Sequence, residues 1–403
     1  MRALLLVLLS TITGQAQTPP QAQAMDGPAA SNAHAFELFQ LFRPMTAGNF
    51  CFSPFSSHQV AALLAAAAGG ETQAELAALT HLGGDVTKDL EKAGALRSTV
   101  VRTASEGALT LEITHSLWAP GTVSFAPAFL ESARTHFDAD LQKLPAGNAT
   151  ACAAAVNLRG REKSHGRFAQ LVGPASFPDP SHAVVVVNTV YLKGSWVHPF
   201  DFKLTKRRAF QTSTQGALML PTMLMPLGAF DYTEAESYQC LEMSMVGGGV
   251  SLTILLPRDE PSRQKIETSL TPEIWAAVCR GLSPYDANVQ LPRFGYSTQL
   301  SLKGLWQTLG ARRLFEKGLA DLSKGMPGSD FFISDISHEA MIEINELGAK
   351  AAAATTAAAE PFGEAPDKFK RRKINFIANH PFIWMLRHQP TGTILLMGRF
   401  AGA

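Results

Sequence analysis

The chain carries eleven histidines, four cysteines and 34 carboxylates in 403 residues, so the ingredients of hydrolytic, metal and thiol chemistry are all present. Their spacing assembles none of these. A nucleophile elbow needs G-x-S-x-G, a zinc protease needs H-E-x-x-H on one helix face, and a phosphate cradle needs G-x-x-x-x-G-K-[ST]. None of the three occurs. His338-Glu339 comes nearest to the second, but Ile342 stands where the second histidine would have to be. Gly247-Gly248-Gly249 runs on into VSLTILLP, a strand-like stretch, and so belongs to a hairpin rather than to a helix start. Cys51, Cys152, Cys240 and Cys279 are scattered without CxxC or metal-like spacing, and a chain this long can build its core without staples, which favours buried free thiols. The spacing predicts no catalytic centre, no cofactor and no metal.

One segment with little chemistry of its own raises the functional question. ELGAKAAAATTAAAEPFGEAPDKFKRRK, residues 346–373, places nine consecutive Ala or Thr residues, then Pro361-Phe362-Gly363 and a basic burst, between two strand-like stretches. It reads as an idle linker, as an exposed alanine helix, or as a loop whose small side chains must later fit somewhere tight. A linker would be rich in Gly and Ser and would lead to a second domain, yet only a short strand-like tail follows. Ala351–Ala359 is a good helix former, but it is too short to hold a helix alone and has no apolar stripe to bury. The third reading is the one the residues favour.

Composition narrows the partners. The chain is 46% hydrophobic and 17% charged with a net charge of +1, a balance suited to a large core and poorly suited to nucleic acid. Lys368–Lys373 is the one dense basic run, a solvated loop flank or a weak polyanion contact. MRALLLVLLSTITGQAQ has the charged start, short apolar run and small-residue site of a secretory signal over residues 1–16, with a polar, disordered lead-in over 17–28. No segment is long and apolar enough to span a bilayer. The mature product is expected to be soluble, monomeric and extracellular, or periplasmic in a Gram-negative host, and Asn148-Ala149-Thr150 is a glycosylation sequon.

The elements that would position such a segment are legible. FELFQLF within 33–42 is an amphipathic helix; Ser53-Pro54-Phe55-Ser56 starts a buried, alanine-rich helix that Gly69-Gly70 ends before another begins. Residues 110–118 alternate as a strand, and 126–137 have helical spacing. AVVVVNTVYL at 183–192 is apolar on both faces, as a central strand must be. Further strands are expected at 247–257, 288–294, 331–336, 339–345 and 374–377, with 382–387 and 393–400 closing the chain as a hairpin. No Pro/Gly-rich boundary divides the chain, so residues 29–403 form one α+β domain.

Many short motifs in order give this pattern a resemblance. NFCFSPFS at 49–56 is similar to the N-x-x-x-S-P-x-S segment of the serpin superfamily of serine protease inhibitors. VNTVYLKGSW at 187–196, Pro199-Phe200, Thr205, LPRF at 291–294, Leu309-Gly310, Leu314-Phe315, ADLS at 320–323, His338-Glu339-Ala340, Asn345-Glu346-x-Gly348, Pro381-Phe382 and MGRF at 397–400 continue it. One departure is Asn157-Leu158-Arg159-Gly160 where the family carries N-x-W-V; loss of that aromatic is expected to loosen its helix. The resemblance implies a fold of three β-sheets and about nine helices, with an exposed reactive centre loop at 346–373 that a protease attacks as substrate and that then inserts into the main sheet, carrying the acylated protease with it.

Residue by residue, the resemblance makes Glu346, Gly348, Ala349, Ala351, Ala352, Ala353, Ala354 and Thr355 the hinge. Their chemistry agrees: glycine absorbs a large backbone change, and small side chains avoid an overpacking cost of about 1–3 kcal/mol per site. Lys350 replaces a common Glu at a position expected to face solvent. Ser53, Ser56, Asn188 and His338 resemble the polar cluster that governs sheet opening, and Trp196 the tryptophan where the loop first enters; as plain residues, all could be ordinary core members. Arg293 and Glu346 are expected to pair, worth about 0–1 kcal/mol if partly exposed. Loop length counted from the hinge places the reactive bond at Phe362–Gly363, a substrate for a chymotrypsin-like or subtilisin-like protease. Counted back from Pro381 it falls near Lys370, Arg371 and Arg372, implying a trypsin-like target. Glu360, Glu364 and Asp367 would screen proteases by charge. A cysteine protease target and a non-inhibitory carrier on the same fold remain open.

Overall fold

The computed structural model describes residues 25–349 and 371–402, apart from Gly84, Ala108, Ala169 and Ser329. The leader, Lys350, the Ala/Thr run, Phe362–Gly363 and Lys370 therefore lie outside the described residues.

Helices open on side-chain caps. Asp26 accepts from the Ala29 N–H at 2.8 Å and starts α1 (Gly27–Phe42), so Gly27 and Pro28, expected in the lead-in, are helical. Ser53 caps α2 (Pro54–Ala67), accepting from the Ser56 N–H at 3.1 Å, with Pro54 pre-set for the first helical position. Then come α3 (Gly70–Thr80), α4 (Val86–Glu106), α5 (Pro127–Phe137), α6 (Ala149–Lys163), α7 (Glu260–Ser269), α8 (Pro272–Gly281) and α9 (Lys303–Thr308).

The strands are β1 (Phe50–Phe52), β2 (Thr110–Ala119), β3 (Asp140–Lys143), β4 (Ala183–Ser195), β5 (Lys206–Gln211), β6 (Ala217–Glu234), β7 (Tyr238–Ser244) and β8 (Val250–Pro257). After them come β9 (Ser283–Pro292), β10 (Phe294–Ser301), β11 (Phe332–Asn345), β12 (Gly348–Ala349), β13 (Lys373–Ile377), β14 (Phe382–His388) and β15 (Thr393–Phe400). One sheet has the order β10-β11-β12-β4-β2-β3; the other runs β1-β15-β14-β8-β7-β6-β9-β13, with β5 on β6. Hydrogen bonding thus joins what resemblance divides into a second and a third sheet. The long strand β6 is the reason: it pairs with β7 near one end and with β5 near the other, and with β9 across a register shift between Met225 and Gly228.

The six-stranded sheet holds the site, and burial on both faces explains its central strand. Val184 and Val186 of β4 pack into one apolar cluster with α1, α2 and α5, while Val185 and Val187 pack into another under α6. Strand β11, expected as two pieces, is continuous. Ser337 and His338, between the two expected ranges, are both buried in the strand with their polar atoms bonded. The four cysteines are unpaired, three of them buried.

Candidate functional site

Strands β4 and β11 run parallel and pair from Phe332–Ala183 to Met341–Tyr191, a seam down the middle of the sheet. Halfway along it, register puts His115 of β2, Asn188 of β4 and His338 of β11 in one row. Asn188 joins that row through its amide. Its Nδ2 donates to Ser56 Oγ and to His115 Nδ1, the latter at 2.9 Å, and its Oδ1 accepts from His338 Nδ1. The Ser53 N–H donates to His338 Nε2 at 3.0 Å, which fixes the proton on Nδ1. Ser53 Oγ donates in turn to the Leu395 carbonyl at 2.6 Å. One side chain thereby ties β2, β4, β11 and the start of α2 together. All five residues are buried, and burial holds His338 at about 3; burial, with Arg97 and His338 nearby, holds His115 at about 3 as well. Both rings are neutral at physiological pH. His115 Nε2 has no partner among the described residues. His115 was missed in the sequence, where a lone histidine in a strand carries no signal; only the register exposes it.

At the top of the same seam the two strands are apart and a third lies between them. After β11 the chain turns at Glu346-Leu347 and comes back as β12, antiparallel to both neighbours: Gly348 sits between Asn345 and Ser195, and Ala349 between Ile344 and Gly194. Gly348 has φ +146°, and a Cβ there would strike the Gly194 carbonyl, so glycine is required twice over. Ala349 is wholly buried. Trp196 frames the opening, taking the Leu347 carbonyl on its backbone N–H and the Asn345 carbonyl on Nε1, each at 2.9 Å.

The expected Arg293–Glu346 pair is present, with Nε at 2.7 Å from Oε1 and Nη2 on the same oxygen. Thr205 Oγ1 donates to that oxygen too, at 2.5 Å. The Glu346 side chain is 0% exposed and the Arg293 side chain 41%, so the expected 0–1 kcal/mol needs correcting. Removing Arg293 would weaken the hold on a buried carboxylate whose Oε2 has no partner among the described residues, a cost of about 1–3 kcal/mol. Burial pushes the Glu346 carboxyl up, but the hydrogen bonds from Arg293 and Thr205 outweigh it and hold it below the usual range.

Arg159 has a partner that the sequence did not suggest: its Nε and Nη2 lie 3.2 and 3.0 Å from Asp140 Oδ2, fastening α6 to β3. On the far side of the loop, Arg372 accepts on its carbonyl from the Asp286 N–H at 3.0 Å and stacks its guanidinium 5.9 Å from the Tyr285 ring, while Arg371 lies 3.9 Å from Asp286. Among the described residues, Glu346, Gly348 and Ala349 lie with β11 and β4, and Arg371 and Arg372 lie with β9. The structure gathers the Asn188 cluster in the middle of the seam and the Glu346 cluster at its top.

Comparison with known proteins agrees with this architecture. The family profile "Serpin (serine protease inhibitor)" matches residues 29–402. Leukocyte elastase inhibitor A of Mus musculus is 32% identical over 92% of this chain and 98% of its own, and leukocyte elastase inhibitor of Homo sapiens 30% identical over 93% and 98%. The structure of Serpin48 from the insect Tenebrio molitor superposes with a TM-score of 0.81 at 25% identity, covering 93% of this chain and 98% of its own. Human thyroxine-binding globulin shares the fold at TM-score 0.81 and 20% identity, covering 93% and 98%. The chain belongs to the serpin family of serine protease inhibitors and is not an enzyme.

Proposed function

We propose that this chain is a secreted suicide inhibitor of serine endopeptidases, cleaved at Phe362–Gly363 by a chymotrypsin-like or subtilisin-like protease and trapping it by loop insertion along the β4–β11 seam. The observation that carries the reading is β12: two residues of the loop already occupy the seam, antiparallel to both neighbours. Continuing that register would bring Ala351, Ala353, Thr355 and Ala357 level with Ile342, Ala340, His338 and Ile336, all buried positions of β11. Every one of these incoming side chains is small. Thr355 would arrive between His338 and Asn188 and replace their hydrogen bond with strand pairing on both sides. Lys350 would fall level with half-buried Glu343 on the outer face, where its charge is tolerated.

Length supports the same bond. Lys350–Phe362 is thirteen residues, matching the thirteen of β4 and the fourteen of β11. A cut after Arg371 or Arg372 would leave a far longer insert, and the backbone there is already bonded to β9. Secretion is proposed on the opening segment alone, which precedes the family match at residue 29.

The test is to mix the purified protein with chymotrypsin and with trypsin. A denaturation-resistant covalent complex with chymotrypsin, releasing a fragment that begins at Gly363, is expected. Complex formation with trypsin and cleavage within 370–372 would move the bond, and rapid cleavage with no complex would replace inhibition by the carrier reading.

A further inference from the structure

The short segment DFKLTKRRAF, residues 201–210, sets four cations within six residues: Lys203, Lys206, Arg207 and Arg208. Lys203, Lys206 and Arg207 are exposed. None of the four has a carboxylate partner among the described residues. The single acid of the stretch, Asp201, accepts from the Lys203 N–H at 2.9 Å and caps the turn leading into β5. Arg208 Nε is buried without any acceptor. Two large apolar side chains flank the strip. Phe202, 52% exposed, lies 5.9 Å from the Arg293 guanidinium, and Met219, 50% exposed, takes Arg207 Nη2 on its carbonyl at 2.5 Å.

A cationic strip with unmet donors and exposed apolar flanks is a surface suited to an acidic partner. Its position selects which one. Thr205, immediately before β5, bonds Glu346, the residue from which the loop departs. At about 3.3 Å per residue, Lys206 and Arg207 lie within roughly 10 Å of that point. A globular partner of protease size is about 40 Å across, wide enough for one that engages the loop to reach the strip beside its base. Building on the inhibitory function proposed above, we propose that the exposed Lys203, Lys206 and Arg207 form an exosite for an acidic face of the target protease. The strip steers the protease onto the loop and selects anionic over cationic members of one specificity class. It acts before cleavage, on encounter, and leaves the insertion step untouched.

The experiment compares the wild-type protein with a Lys203→Ala/Lys206→Ala/Arg207→Ala variant, first matched for thermal stability. The probes are anionic and cationic isoforms of one chymotrypsin-family protease. The expected result is an association rate with the anionic isoform about tenfold lower in the variant at low ionic strength, with a flatter dependence on salt. The rate with the cationic isoform and the number of inhibitor molecules consumed per protease stay unchanged. An unaltered rate and salt slope with the anionic isoform would overturn the exosite while leaving the inhibitory function intact. Should the wild type trap neither isoform, binding of the anionic isoform with its catalytic Ser replaced by Ala reads the strip independently. Weaker binding by the variant supports the exosite there, and equal binding refutes it. Loss of dextran sulfate binding in the variant with no change toward either protease would assign the strip to a polyanion and refute the protease assignment.

Discussion

The two ends of the β4–β11 seam are built from the same two strands and hold them in opposite ways. At the top the strands are parted, two residues of the loop lie between them, and most of the fastening is backbone to backbone. At the middle they are directly paired, and the fastening converges on one side chain, Asn188, with two neutral imidazoles beside it. A parted end costs little to lengthen by one more residue, because each step exchanges one strand pairing for two. A middle closed by a single amide resists until that amide is displaced and then yields together. The difference describes a start point and a latch.

The largest effect that would test this contrast comes from a charge in the latch row. Thr355→Arg should convert the protein from inhibitor to substrate, raising the moles consumed per mole of protease by at least about tenfold, since an unpaired charge would have to be buried against His338 and Asn188. Lys350→Ala, which the proposed insertion would put on the outer face, should leave that ratio unchanged. Equal effects from the two would erase the distinction between the positions.

Removing the fastenings should separate the ends further. Asn188→Ala strands donors and acceptors on Ser56, His115 and His338, and should lower unfolding free energy by about 2–4 kcal/mol in urea titrations. Arg293→Met should cost less, about 1–3 kcal/mol, and should speed hydrogen exchange at Trp196 and Phe200 rather than at the middle of β4. An Arg293→Met protein with native exchange at those amides would mean that the salt bridge does not hold the top.

Acid should produce the smallest but most selective response. His115 and His338 stay neutral in the fold down to about 3, while in the unfolded chain they take up protons below about 6.5. The unfolded state therefore binds more protons in that window, and stability falls as pH drops from about 6.5 toward 3. Glu346 behaves otherwise. Its carboxyl is held below the usual 4.5, so its contribution is intact above about 4.5 and is lost only as pH falls through the folded value. Between about pH 6.5 and 4.5, exchange at amides flanking Asn188, corrected for its intrinsic slowing in acid, should accelerate while corrected exchange at the top of the seam does not. Uniform acceleration would show that the two ends are not separately held.

The sequence was informative where a residue's type and its position demand the same thing. Ser53-Pro54 had to start a helix, AVVVVNTVYL had to be buried on both faces, and Gly348 had to supply a conformation that a Cβ forbids. Motif order identified most of the latch residues without locating them. What stayed hidden is set by contacts across the fold. His115 joins the latch only through register, the tie of Thr205 to Glu346 at the top of the seam appears only in the fold, and Arg159 finds Asp140 only because β3 lies beside α6. β6 was not read at all: Pro221 and Pro226 interrupt its pattern, yet it is the strand that runs through the larger sheet. β11 was read as two strands on either side of Ser337-His338, yet both residues are buried and bonded, Ser337 to the Leu171 carbonyl outside the sheet and His338 to Asn188 within it.

The central claim is that the uncut loop leaves the β4–β11 seam short of a strand it can accept. The direct measurement is the melting temperature before and after a single cut within the Ala/Thr run's distal flank, made by a protease at or near Phe362 and verified by mass. A rise of tens of degrees, with the two fragments remaining associated, is the outcome this account requires. A cut protein that melts where the intact one does would contradict it.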